Sequence, residues 1–219
     1  MQKICPQFDV EASEIEETLP GGPTPEAVAG LALRKARAVA GRHLDGVVLA
    51  ADTVVVLDGE PLGKPSGPEE ARAMLRRLRG REHEVVTGVA VADARSGREK
   101  ALAVTSRVLM ARYSEATIEA YVASSAPLDK AGAYAIQDLG GALVERLTGS
   151  YTNVVGLPAE ETRRLLEEFG VPVSAGAGPW APSGAARGEA SPRAAGSGAT
   201  RAAACGRGRS RPSVRPGPP

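Results

Sequence analysis

Aromatic side chains are scarce in this 219-residue chain: Phe8, Tyr113, Tyr121, Tyr134, Tyr151, Phe169 and Trp180 are the whole set. A sheet that stacks nucleic-acid bases needs clustered rings, so the RNA-recognition class is excluded and the core must be aliphatic. Cysteine is almost absent too. Cys5 and Cys205 stand near opposite ends with no second thiol or paired histidine nearby, so neither a disulfide framework nor a zinc site can be read, and a reducing cytoplasm is the expected location. No apolar run approaches the length of about 18 residues that a membrane span requires. The opening MQKICPQFDVEASE puts acids where an export signal would carry its apolar stretch, so no membrane partner is expected. Charge of one sign is missing as well: 27 Lys and Arg face 26 Asp and Glu, which argues against a dedicated nucleic-acid or membrane-surface protein. No internal repeat is visible.

What is present suffices for a core: hydrophobic residues make up 42%, enough for a domain of this size to fold without staples. The neutral total hides an asymmetry. Residues 175–219 hold seven arginines and one acid, a net +6, which leaves −5 on residues 1–174 out of the total of +1. That tail, rich in Gly, Pro, Ala, Ser and Arg, lacks the apolar content for a core and is expected to be a disordered extension, with a loose polyanion contact as the alternative. Residues 1–174 are expected to form the folded domain.

Within that body, Thr24-Pro25-Glu26 is a cap and first turn, and Val28, Leu31, Ala32 and Val39 keep helical spacing, predicting a helix over 25–40. GVVLAADTVVVL (46–57) is a β-branched run ended by Asp58-Gly59, a strand buried on both faces. Ser66 with Glu69 forms a capping box for a second helix whose face is Ala71, Met74, Leu75 and Leu78, ending at Gly80. Residues 83–93 and 100–113 are strand-like around ARSGR, a hairpin, and Ser114 caps a short helix. Residues 158–170 close the body as a helix with Pro at its start and Gly at its end. Strands alternating with helices make this one α/β domain.

Four places resist a purely structural reading. Asp52 lies inside the apolar strand, where a carboxylate is costly unless paired or used. Lys64, in Gly63-Lys64-Pro65, would project near the end of that strand. DKAGAYAIQ (129–137) combines Asp129, Lys130, Gly132 and Gln137, which suits close backbone approach by a ligand. Asn153 sits beside a Val-Val pair. Each has a plain alternative: a satisfied Asp, a solvated lysine, a tight turn, a turn-forming Asn. Together they suit a phosphate ester: a carboxylate to hold a divalent metal or deprotonate water, lysines to neutralise phosphate, and an amide to read a base edge. There is no G-x-x-x-x-G-K-[ST] loop and no G-x-G-x-x-G after a strand, which disfavours Walker-type NTPases and Rossmann dehydrogenases. His43 and His83 have no acid or nucleophile pattern around them and are read as surface or satisfied histidines.

The order ADTVVV, LGKP, GREHEVVTGVA, LDKAGAYAIQ and SYTNVVGLP, over roughly residues 8–172, resembles the Maf family of nucleoside triphosphate pyrophosphatases. The resemblance implies an elongated two-lobed α/β domain with a mixed sheet, similar to inosine triphosphatases. It implies hydrolysis of a nucleoside triphosphate to the monophosphate and pyrophosphate with Mg or Mn, and a possible homodimer. Asp52 corresponds to the proton acceptor, Lys64 to the LGKP lysine and Lys35 in LALRKA to the helix lysine. Lys130 falls in the substrate-binding DKAG segment. The glutamate before the helix maps within EIEET to Glu17, making Asp52 and Glu17 the metal pair. Thr53 and Gln137 match the branch that takes dTTP and UTP. Three departures stand out. The family opens with a strand and a Ser-x-x-Arg-Arg loop that grips the triphosphate, where this chain reads MQKICPQFDV. Ser124, Ser125 and Ala126 replace an expected glutamate, and Gly30 an expected arginine. They lead to the expectation of weak activity and an exposed sheet edge. A non-catalytic nucleotide-binding or cell-division regulatory protein is the competing class, and a nucleic-acid-associated protein using the arginine tail a third.

Overall fold

In the computed structural model of the chain, the described residues are 1–124, 126–174 and 201–205. The rest of the segment expected to be disordered, 175–200 and 206–219, lies outside them. In chain order the strands are β1 (Asp9–Ala12), β2 (Val47–Leu57), β3 (Glu60–Leu62), β4 (Glu82–Asp93), β5 (Glu99–Met110), β6 (Val144–Thr148) and β7 (Arg201–Cys205). They form one sheet ordered β1-β7-β2-β4-β5-β6, with β3 paired to β2. The helices are α1 (Pro25–Ala40), α2 (Pro68–Leu78), α3 (Glu115–Ala123), α4 (Tyr151–Val155) and α5 (Ala159–Glu168). None of the helices is long and apolar enough to cross a membrane among the described residues.

The α/β class holds, but every described ladder is antiparallel, where a mixed sheet was expected. The reason is local. β2 folds back into β3 through Asp58 and Gly59, both at positive φ (55° and 80°), the geometry of a tight hairpin turn. β4 folds back into β5, and α2 crosses from β3 on one edge of β2 to β4 on the other, so that both of these strands run antiparallel to β2. The expected capping box is also corrected. With Pro68 in the first turn and Gly67 as the cap, the helix starts later than supposed. Ser66 therefore donates from its N–H and its hydroxyl to Glu70 (2.7 and 2.6 Å), while Glu69 pairs with Arg72. The segment expected to be structureless contributes β7 between β1 and β2, because strand pairing uses backbone groups that any non-proline residue carries. Cys5, buried at 3% exposure, is disulfide-bonded, which its isolation in the sequence did not suggest.

Period-two alternation sorts β2 between two layers. Val48 and Ala50, with Ala90 and Ala92 of β4, pack on Ala32, Ala36, Val39 and Ala40 of α1. Val47 and Leu49 face the opposite way, with Val89 and Val91, onto Leu165 and Leu166 of α5 and onto Phe169. Further along that second face, Val55 and Leu57 join the largest apolar cluster, under α2 and α3. Thr53 thus falls where the two clusters of the second face part.

Helix α1 is seated almost on the backbone of the sheet. Thr24 caps it by accepting from the Ala27 N–H (3.2 Å), Pro25 fixes its first turn, and its inner stripe is largely alanine. The sheet meets it with Gly88, whose place would bring an added Cβ to 2.4 Å from the Val28 carbonyl oxygen. Gly88→Ala should therefore lower stability by about 3 kcal/mol, the upper range for overpacking, with α1 pushed outward. Chemical denaturation checks this, and an unchanged midpoint would show that α1 is not held so closely.

Candidate functional site

Gly88 stands opposite Asp52 in the β2–β4 ladder, so Asp52 points toward α1. Lys35 meets it from the helix, on the same stripe as Leu31, Ala32 and Val39 and with 0% exposure. Its ammonium lies 2.5 Å from Asp52 Oδ1 and 2.7 Å from Glu17 Oε1. Arg34 holds the segment that brings Glu17 in, donating to the Thr18 carbonyl (2.5 Å). Of the glutamates in EIEET, the structure places Glu17 on the lysine. Removing one member of such a buried pair leaves the other uncompensated, a cost of about 3–5 kcal/mol.

Two carboxylates from separate segments therefore converge on one cationic position, and oxygen ligands of this type suit Mg or Mn. Among the described residues no three His, Cys, Asp or Glu side chains form a ready cage. Asp52 and Glu17 are the residues that would hold such a cation.

Thr53 points the other way, into a cavity of about 350 Å³. Lys64, Lys130 and Gln137 line it with Thr53, as do Tyr134 and, from the end of α4, Val155. The loop bearing Lys130 and Gln137 is bent through Gly132 and Ala133, both at positive φ (68° and 58°). The Gly132 N–H donates to the Gly63 carbonyl (3.0 Å), which ties this loop to the turn presenting Lys64. Lys130 is already occupied: its ammonium donates to the Ala126 carbonyl (2.5 Å) and pairs with Asp129 (2.7 Å). Lys64 is exposed and makes no ion pair among the described residues, so it is the lysine better placed to meet an anion. Tyr134 is held from behind by His83, whose Nε2 lies 2.7 Å from the phenolic oxygen with the rings edge to face.

The sequence-derived residues thus fall into two groups. Glu17, Lys35 and Asp52 meet on the α1 face, and Thr53, Lys64, Lys130 and Gln137 line the cavity on the other. What joins them is a gap in the sheet. β2 pairs with β4 along Val47–Val56, but its other edge is covered only at Val47–Leu49 by β7 and at Val55–Leu57 by β3. Between those ladders no strand covers that edge among the described residues. Asp52 and Thr53 lie in the opening, where one extended ligand can reach both faces.

Several members of the site escaped the sequence reading. Thr87 lies inside an apolar strand, where a threonine, unlike a carboxylate, is ordinary and gives no signal by itself. Asn153 stands out in the sequence with a turn-forming Asn as its alternative, but without its partners, and His83 reads there as a surface or satisfied histidine. His83 is buried at 3% exposure, and its Nδ1 has no partner among the described residues.

Burial lowers the pKa of His83 from 6.5 to about 4. Between those values the unfolded chain binds the proton and the folded one does not, so His83's contribution to stability is full above pH 6.5 and is lost as pH falls toward 4. The loss should be on the order of 3 kcal/mol. His83→Gln should flatten that part of the stability–pH curve measured by denaturation, and an unaltered slope would assign the acid sensitivity to other groups.

Known proteins carry the same framework. The family described as Maf-like protein matches residues 1–169. A dTTP/UTP pyrophosphatase of Pelotomaculum thermopropionicum is 49% identical over 164 residues, 74% of this chain and 86% of that protein. The dTTP/UTP pyrophosphatase of Myxococcus xanthus is 50% identical over 178 residues, 81% and 87% of the two chains. That of Syntrophus aciditrophicus is 44% identical over 171 residues, 78% and 83%. With a family match over most of its length and relatives at this identity, the chain belongs to the Maf family.

Proposed function

We propose that this protein hydrolyses nucleoside triphosphates, dTTP and UTP foremost, to the nucleoside monophosphate and pyrophosphate. The observation that carries the reading is the placement of Asp52 and Thr53 on opposite faces of a stretch of β2 whose edge no strand covers among the described residues. A nucleotide is an extended ligand with an uncharged heterocycle at one end and a polyanion at the other. Its base fits the cavity, whose aliphatic walls are interrupted by Thr53, Asp129, Tyr134, Gln137 and the two lysines. Its phosphates then pass through the gap toward Asp52.

In this reading Gln137 supports base choice, since an amide offers both a donor and an acceptor to a base edge. Lys64 neutralises phosphate charge at the cavity mouth, with Lys130 behind it. Asp52, fixed by Lys35, takes the proton of a water whose oxygen adds to the α-phosphorus. The bond from that phosphorus to the bridging oxygen breaks, and pyrophosphate leaves with the electron pair. A Mg or Mn ion held by Asp52 and Glu17 would supply charge compensation at the phosphates. The relatives' names and the Asp52–Thr53 geometry support the same assignment. Release of pyrophosphate from dTTP and UTP in the presence of Mg or Mn tests it, and separates it from a binding-only protein.

Asp52→Asn preserves size and leaves Glu17 to neutralise Lys35, so it should stay folded at reduced stability while lowering turnover about 10²- to 10⁴-fold. Wild-type turnover in that variant would remove Asp52 from the chemistry. Gln137→Glu exchanges a two-way amide for an acceptor-only carboxylate, so it should weaken pyrimidine triphosphates more than others. Comparing kcat/KM across four nucleotides checks this, and an equal loss for all would leave Gln137 with loop support only.

A further inference from the structure

Behind the cavity runs a chain of buried hydroxyl and amide groups whose protons can be counted. Thr53 and Thr87 stand opposite each other in the β2–β4 ladder, with their hydroxyl oxygens 2.9 Å apart. Thr87 has 0% exposure, and its hydroxyl donates to the Asn153 carbonyl at 3.1 Å. A hydroxyl has one proton and a carbonyl has none, so Thr87 has nothing left to give to Thr53. In the Thr53–Thr87 bond Thr53 must be the donor. The reverse arrangement would set the lone pairs of Thr87 against those of the carbonyl at a position with 0% exposure, which is unfavourable.

The orientation of Asn153 is itself fixed. Its side-chain nitrogen donates to the Val85 carbonyl (3.0 Å) and to the Ser106 hydroxyl (2.9 Å). A flipped amide would place oxygen against the Val85 carbonyl, so the assignment is forced. Ser106 closes the count: it accepts from Asn153 and from the Ser150 N–H (2.9 Å) and donates to the Ser150 carbonyl (3.2 Å). Asn153 Oδ1 is buried without a partner among the described residues, so the side chain serves through its two donors. The Asn153 carbonyl also accepts from the Gly156 N–H (2.9 Å), which locks it as an acceptor for Thr87.

From this polarity we infer that Thr87, oriented by Asn153, makes Thr53 an obligate hydrogen-bond acceptor toward the cavity and so selects bases that carry an imide N–H. Uracil and thymine have a hydrogen on N3, whereas cytosine has a bare lone pair there. An oxygen presenting only lone pairs accepts from the first two and repels the third. Thr87 is thus a positioning residue for base choice, acting through Thr53 without touching the ligand. The inference rests on the nucleotide reading of the cavity.

The test uses the full chain and calorimetric binding of UMP and CMP, so it does not depend on hydrolysis. Wild type should prefer UMP by at least about tenfold, near the low end of what leaving one buried polar group unpaired costs in affinity. Thr87→Val, close to the same shape, frees the Thr53 hydroxyl to turn toward the ligand and should bring the UMP to CMP ratio close to one. Thr87→Ser restores a hydroxyl and should restore the ratio, which a purely structural role for Thr87 would not require. Thr53→Val keeps the Thr87–Asn153 bond and should also lose the preference, which covers the case of a Thr87→Val chain that does not fold. Equal affinities in wild type, or a full UMP preference in a folded Thr87→Val or Thr53→Val, would overturn the inference. Clear UMP preference with no pyrophosphate release from UTP would instead leave the inference standing and remove the hydrolase reading.

Discussion

An ammonium group buried to 0% exposure has to be neutralised where it lies, and the contact of Lys35 with Asp52 and Glu17 is the constraint to which the surrounding structure answers. For Lys35 to reach Asp52, α1 must sit against the sheet with little side-chain bulk between them. The alanines of α1 and the bare Cα of Gly88 provide that closeness. For Glu17 to arrive as well, the segment before the helix must be tied down, which Arg34 does through the Thr18 carbonyl. A charge cluster of this kind is poor evidence for stability, since apolar groups of the same volume often do as well. Its retention fits chemistry better than folding.

The cavity on the other face follows a different logic. Its walls come from elements distant in sequence, namely β2, the Lys64 turn, the loop over 129–137 and α4. Each is pinned by backbone or buried side-chain bonds: the loop to Gly63, Tyr134 to His83, and α4 to β4 and β5 through Asn153 and Ser106. Neutral partners suffice here because the site must hold a shape and a hydrogen-bond pattern. The charged groups of the lining are Lys64 and the paired Lys130 and Asp129.

How much of this could be read from the sequence differs with the physics involved. Helix α1 was legible because its cap, its proline and its apolar period are all local, and β2 because a β-branched run ended by Asp-Gly admits few other forms. Asp52 was legible as a charge in the wrong surroundings. Lys35 sits on the apolar stripe of α1 and carried the same signal, although it was recognised only through the family resemblance. Thr87 and Ser106 were not legible, since a hydroxyl in a strand is unremarkable until the strand register gives it a partner. The antiparallel sheet and β7 were missed for a related reason: pairing partners are chosen by backbone groups that every segment shares.

If Asp52 carries the chemistry and Thr53 the base choice, as proposed, their adjacency makes the register of β2 a functional quantity. Because neighbouring strand residues project to opposite faces, a slip by one residue would turn the carboxylate into the base cavity and the hydroxyl toward the buried ammonium. Chemistry and base choice would change places in a single step. The ten-pair ladder with β4 and the tight turn into β3 hold the strand against such a slip, one along its length and the other at its end. An insertion or deletion within Val47–Leu57 would therefore damage both properties together, whereas a substitution at either position can alter one alone.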